Sequence, residues 1–236
     1  MIFHGLAWCP KSFKLESKLQ ELGLTGLTCV KAPDHIEGMT KPTLFKTNEF
    51  LFPFQEIVNT YGIPTYKEVN PALFAVVSFP FLFGVMFGDV MHGTWLVAFS
   101  SWLCWTDKSN SASLAGMMAP FRYLLLLMGV FSLYMGLIYN DFTSMPTLIM
   151  GSTCYTEMEQ GTNVMYAHRA DPECVQPFGM DPIWYRSKQE ISFFNSFKMK
   201  TSVILGVAQM SLGTFMKGFN SLYFGRYSEF IFEFLS

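Results

Sequence analysis

The chain has 236 residues, of which 50% are hydrophobic, 17% aromatic and only 14% charged. A soluble domain is about one quarter charged, so too little polar surface is present to cover a globule in water, and membrane embedding is the leading class. The 16 basic and 18 acidic residues give a net charge of −2 without a long run of either sign, which excludes an electrostatic footprint for nucleic acid.

Residues 1–68 are mixed in character, with seven Lys and seven acidic residues. The opening MIFHGLAWCPKSFKLESK has no cationic start followed by a long apolar core, so it does not read as a signal peptide. In SFKLESKLQELGL, Leu15, Leu19 and Leu22 recur at i, i+4 and i+7 between Ser12 and Gly23. That pattern predicts a short amphipathic helix whose stripe packs on a soluble domain. Residues 24–47 read as loop, and FLFPFQEIVNTYG as a second short helix.

Four apolar stretches follow. Val69–Gly88 is uncharged for twenty residues, and after Asp89 and His92 the run GTWLVAFSSWLCW reaches Trp105. Tyr123–Asn140 is uncharged for eighteen residues between Arg122 and Asp141, and Thr201–Met216 for sixteen between Lys200 and Lys217. A helix needs about 20 residues to cross the hydrocarbon core, with a working range near 17–25. The first and third stretches qualify outright; the second and fourth need polar flanks or snorkelling lysines. The predicted class is therefore all-α, a polytopic helical membrane protein with about four transmembrane helices and a short soluble lead-in. Pro80 predicts a kink in the first span. Trp95, Trp102 and Trp105 are candidate interfacial anchors. The loop 141–200 carries five basic residues, with Lys198 and Lys200 at its membrane edge, but positive-inside counting leaves the orientation open.

Asp89 and His92 are three residues apart and share a helix face, with Gly88 and Gly93 beside them. An ionisable pair at the edge of an apolar run has two readings: a proton or ion relay, or a turn whose polar groups cap two helix ends. The second is favoured here, because no other intramembrane charge completes a relay. Asp141 likewise reads as an anchor at the end of the third span rather than a transport site. Gly129, Ser132 and Gly136, and separately Gly206 and Gly213, space small residues for close helix packing. The sequence contains no GxxxxGK[ST], GxSxG or HExxH motif and no CxxC or CxxH spacing, so no nucleotide-binding loop, hydrolase elbow or zinc site is predicted. No cofactor is expected. A small independent channel or transporter, or a membrane interaction module docking through residues 1–68, are the rival readings.

YGIPTYKEVNPALFAVVSFPFLFGVMFGDVMHG closely resembles the first membrane segment of subunit a of the V-type proton-translocating ATPase, the 116 kDa-type membrane-sector subunit. RYLLLLMGVFSLYMGLIYNDFTS, PFGMDPIW and FFNSFKMKTSVILGVAQMSLGTF resemble the third span, the element before the fourth and the fourth span, in that order. WCP and KTNEFLFPFQEIV match the end of the family's cytosolic arm. The resemblance implies a layout: 1–68 the end of the arm, 69–105 a tight hairpin of spans one and two, and 106–121 a cytosolic loop. Beyond it follow span three at 122–142, a lumenal loop at 143–198, span four at 199–218, and at 219–236 a cytosolic tail with the start of a truncated next span. It also implies an integral protein of vacuolar or endosomal acidic membranes with a cytosolic N-terminus. Its implied partners are the proteolipid ring, the peripheral-stalk stators and the lipid bilayer, and its implied role is a non-hydrolytic part in ATP-driven proton translocation. The family's essential arginine and most half-channel residues fall beyond Ser236, which makes the chain alone structural or an assembly element. Met91 stands where the family has Gly, and Gln209 where it has His. In a lumenal loop Cys154 and Cys174 have two possible states, free thiols or a disulfide closing about twenty residues, worth about 3 kcal/mol in the chain-entropy model.

Overall fold

The computed structural model describes residues 8–9, 18–19, 21, 41–106, 114–143, 145–146, 153–160, 164–169, 171–176, 178–186 and 190–234. Of the amphipathic segment around Leu15, Leu19 and Leu22, only positions 18, 19 and 21 lie among them, in helical conformation; the rest falls outside the described residues. Helix dominates. Helix α1 (Phe52–Tyr61) places Pro53 in its first turn, where the missing N–H costs nothing. Helices α2 (Ala72–Met86) and α3 (Val90–Trp105) follow, then a short α4 (Leu114–Met118) and a 3-10 turn (Ala119–Phe121) that run into α5 (Arg122–Tyr139). The segment expected as a loop up to residue 121 is thus helical from Leu114, because LAGMMAPF is apolar and Pro120 sits early enough in its turn to be tolerated.

The first apolar run is trimmed at both ends. Pro71 caps α2, and Phe87 leaves helical geometry at φ −112°, ψ 48°, so fifteen residues are helical instead of twenty. The helix continues through Pro80, which is buried. The fourth run is embedded in a much longer helix, α6 (Glu190–Tyr223), whose 34 residues extend about 51 Å. Beyond a turn at Gly225, residues Phe230–Phe234 fold back, and Phe234 meets Phe215 and Gly218 of α6.

Two antiparallel pairs lie between α5 and α6: β1 (Asp141–Phe142) with β2 (Met145–Pro146), and β3 (Tyr155–Gln160) with β4 (Val164–Arg169). In the second, Tyr155 is opposite Arg169 and Gln160 opposite Val164.

Helix α5 is the centre of the bundle. A Cβ on Gly136 would meet Val90 and Asp89, one on Gly93 would meet Leu133, and one on Gly129 would meet Val97, so α3 runs antiparallel along α5. On another face Phe81 packs edge-on to Phe131, and Val85 joins Met135 and Tyr139 in the most buried cluster, so α2 runs parallel to α5. The chain reverses over Phe87–Asp89, but α2 and α3 each spend their packing on α5 more than on one another. Small residues at 129, 132 and 136 allow this close approach. Gly206 and Gly213 differ from expectation: nothing among the described residues lies within 4 Å of a Cβ built on either. Among the described residues α6 meets the bundle through other positions, Leu205 among them.

Among the described residues one helical stretch, Gly116–Tyr139, is by itself long and apolar enough to cross a membrane. Ala72–Met86 is apolar but shorter.

Candidate functional site

The polar side chains singled out in the sequence gather at one end of the bundle, where α5 ends and α3 begins. Asp89 is the N-cap of α3: its backbone is extended (φ −144°, ψ 130°) and its Oδ1 accepts from the N–H groups of Met91 at 2.8 Å and His92 at 3.3 Å. These are donors that the first helical turn cannot satisfy internally. The same oxygen accepts from the Thr143 N–H at 3.4 Å, and Oδ2 lies 2.8 Å from His92 Nδ1. Asp89 is therefore surrounded by donors, whereas the His92 side chain is 56% exposed. Its ring lies edge-on to Phe87.

Two hydroxyls hold the α2 terminus against α5. Ser132 Oγ donates to the Phe87 carbonyl, and Tyr139 Oη donates to the Val85 carbonyl at 2.9 Å. Both acceptors belong to the last turn of α2 and its cap, whose carbonyls have no intrahelical partner. Neither residue was marked by the sequence beyond the small-residue spacing that included Ser132; a hydroxyl inside an apolar helix was the available signal.

Helix α5 stops at Asn140, which adopts the left-handed conformation (φ 58°, ψ 35°) that Asn tolerates better than most residues. Asp141 then points to Lys198 of α6, Oδ2 to Nζ 3.3 Å, with the two side chains 13% and 23% exposed. The Lys198 ammonium also lies 4.9 Å from the centre of the Tyr139 ring, a cation–π distance. Lys200 is exposed.

A strap from Gly179 to Arg186 closes the end. Gly179 has φ +71°, and a Cβ there would stand 2.6 Å from the Ile138 carbonyl oxygen, so only glycine fits. Next to it the Met180 N–H donates to that same carbonyl at 2.8 Å, satisfying an end of α5. Asp181 is buried and accepts from Ile183 N and from Cys154 N, each at 3.0 Å. Cys154 is disulfide-bonded to Cys174. Trp184 stacks on Phe193 at 4.6 Å, and Tyr185 Oη donates to the Tyr139 carbonyl at 3.2 Å. The strap thereby links the disulfide, the end of α5 and the start of α6. Asp181 lies inside PFGMDPIW, a motif noted for its likeness but not for this carboxylate.

At the other end Asn70 Nδ2 donates to Gln55 Oε1 at 2.7 Å, and Gln55 Nε2 to Asn59 Oδ1 at 2.9 Å. Asn220 Oδ1 accepts from Val69 N at 3.1 Å, and Arg226 lies between Glu229 and Glu68. Arg122, its side chain 8% exposed, pairs with Glu49 at 2.7 Å. In the sequence Arg122 marks only the boundary of an apolar run.

The model of the V-type ATPase 116 kDa subunit family matches residues 1–236 of the chain. The chain belongs to that family. It is 38% identical over 243 residues to V-type proton ATPase subunit a1 of Arabidopsis thaliana, covering 98% of this chain and 29% of that protein. It is 38% identical over 253 residues to V-type proton ATPase 116 kDa subunit a 1 of Mus musculus, covering 97% of this chain and 30% of the relative. The vacuolar proton translocating ATPase 100 kDa subunit of Dictyostelium discoideum is 46% identical over 176 residues, 73% of this chain and 21% of its own length. This member of the family thus spans less than a third of the curated relatives it matches.

Proposed function

We propose that the chain is the part of a V-type ATPase membrane-sector subunit a that scaffolds the stator, contributing to ATP-driven proton translocation and organelle acidification without carrying the proton itself. The family match along the whole chain supports the assignment to the pump. The observation that carries the scaffold role is the state of the Asp89 carboxylate. It accepts from three backbone N–H groups and sits against His92, so it is committed to holding a helix start and a turn. A relay group would need a free face toward a path of further titratable groups.

In this reading α2, α3, α5 and α6 are four spans in an acidic endomembrane, with residues 1–68 cytosolic and 143–198 lumenal. The polar groups support it by their spacing. Arg122 and Asp141 bracket α5 about 28 Å apart along a helix, and Lys198 and Asn220 bracket part of α6 about 33 Å apart, against a hydrocarbon core of about 30 Å. Between those levels the outward faces are apolar: Leu73, Val77, Val203, Ile204 and Val207 are all exposed. Such area is rare on a soluble monomer. Helices α2 and α3, at about 22–24 Å, reach the interfaces through Asn70, Asp89 and the exposed Trp102 and Trp105. The proteolipid ring and peripheral-stalk stators are the proposed partners.

The test is Asp89→Asn in the assembled ATPase, read as acidification of sealed membrane vesicles. Asn caps a helix about as well as Asp but carries no titratable proton, so assembly and pumping within about twofold of the parent are expected. Normal assembly with abolished pumping would refute the scaffold role.

A further inference from the structure

An open cavity of about 370 Å³ lies at the end of the bundle opposite Asp89, between the lead-in to α1 and the start of α5. That volume is within the range of small-ligand sites, about 300–1,000 Å³. Its wall is divided by chemistry. Phe52 and Pro120 line one part, and Thr47, Asn48, Glu49 and Arg122 line the other. The Arg122 side chain is 8% exposed and held from behind by Tyr123, whose ring centre is 4.7 Å from the guanidinium carbon and whose hydroxyl accepts from Nη2 at 3.2 Å. The Glu49 side chain is 67% exposed, so the carboxylate is the more accessible member of the 2.7 Å pair. At the same end of the bundle Phe121, Met117, Trp102 and Trp105 are exposed, aromatic and apolar side chains of the kind found at a membrane–water boundary.

We propose that this cavity binds the headgroup of a zwitterionic phospholipid, its phosphate on Arg122 and its quaternary or primary ammonium on Glu49, with the acyl chains left in the bilayer. The proposal rests on the reading of α5 as a span with this end at the interface. Guanidinium pairs with phosphate through a planar fork of donors. A carboxylate 2.7 Å away would repel a purely anionic headgroup but complements the second charge of a zwitterion. Opening one ion pair to insert a molecule with both charges leaves neither partner unpaired, which is the condition for a partly buried pair to exchange. Glycerol and the first methylenes then lie along Phe52 and Pro120.

The purified full chain, in a non-ionic detergent, is titrated with dihexanoylphosphatidylcholine, dihexanoylphosphatidylglycerol and glycerophosphocholine, and bound lipid is counted by native mass spectrometry. Saturable binding of the choline lipid at least tenfold tighter than the glycerol lipid is expected, with glycerophosphocholine weaker still. Glu49→Gln, which keeps the side-chain length and an oxygen that can accept from Arg122, should erase that preference. Equal binding of the two lipids, or a preference that survives E49Q, overturns the proposal; glycerophosphocholine binding as tightly as the lipid overturns the membrane source of the ligand. Alkaline carbonate extraction tests the span separately: retention in the membrane pellet upholds the embedding whichever lipid result is obtained, and release sinks it.

Discussion

Gly136→Ala probes the closest approach in the bundle. A Cβ at that position would stand 2.5 Å from the Val90 nitrogen and 2.6 Å from the Asp89 carbonyl carbon. Ordinary contact begins at about 3.5 Å, so α3 would retreat from α5 by about 1 Å. Both obstructing atoms are backbone and no rotamer change relieves them. The retreat occurs at the start of α3 and loosens the Asp89 cap together with its bond to Thr143. Overpacking of this kind costs about 1–3 kcal/mol. Replacing Gly by Ala inside a helix returns about 1 kcal/mol, and weakening an N-cap removes about 1 kcal/mol. The net destabilisation is about 1–3 kcal/mol, and at about 2–4 °C per kcal/mol for a chain of this size the apparent Tm should fall by several degrees. Circular dichroism melting of the purified chain in detergent micelles measures it. Gly206→Ala and Gly213→Ala are the comparison, since nothing among the described residues obstructs either; both should melt at or slightly above the parent. A Gly136→Ala protein that melts no lower than these two would refute the packing argument.

Lys198→Met and Asp141→Asn should each lower stability by about 1–3 kcal/mol, because each strands a partly buried charge, while the double variant recovers most of the loss. A double-mutant cycle with no coupling would contradict the pairing. Replacing Cys154 and Cys174 together by Ala should cost about 3 kcal/mol, seen as faster proteolytic cleavage within residues 153–186 under non-reducing conditions. Unchanged cleavage would show that Asp181 and the Trp184–Phe193 stack hold the strap without the disulfide.

The helices themselves were legible because uncharged runs of apolar residues leave the backbone few alternatives. The ends were less so. Val69–Gly88 reads as one uninterrupted run, yet Pro71 and Phe87 shorten it, since a helix end is decided by where its last carbonyls and first amides find partners. Asp89 was legible as a cap from its position after Gly88, but its bond to Thr143, 54 residues away, was not. Tyr139 and Ser132 were invisible as anchors for a similar reason: their acceptors are the Val85 and Phe87 carbonyls, and every residue has a carbonyl. Residues 153–169 carry no alternation strong enough to announce β3 and β4.

The uncharged apolar blocks alone predict a largely helical chain, and the long motifs around them resemble the family to which it belongs. Hydrophobic burial depends on residue type and local period, both of which are written in the sequence. Which glycines are crowded, which carboxylate caps and which pairs, and which face of α6 meets the bundle depend on the distance between segments far apart in the chain. Gly129 and Gly136 share their spacing logic with Gly206 and Gly213, yet α3 lies against the first pair and nothing among the described residues lies against the second. Only the tertiary structure decides between them, because a small residue permits close approach but does not supply the helix that makes it.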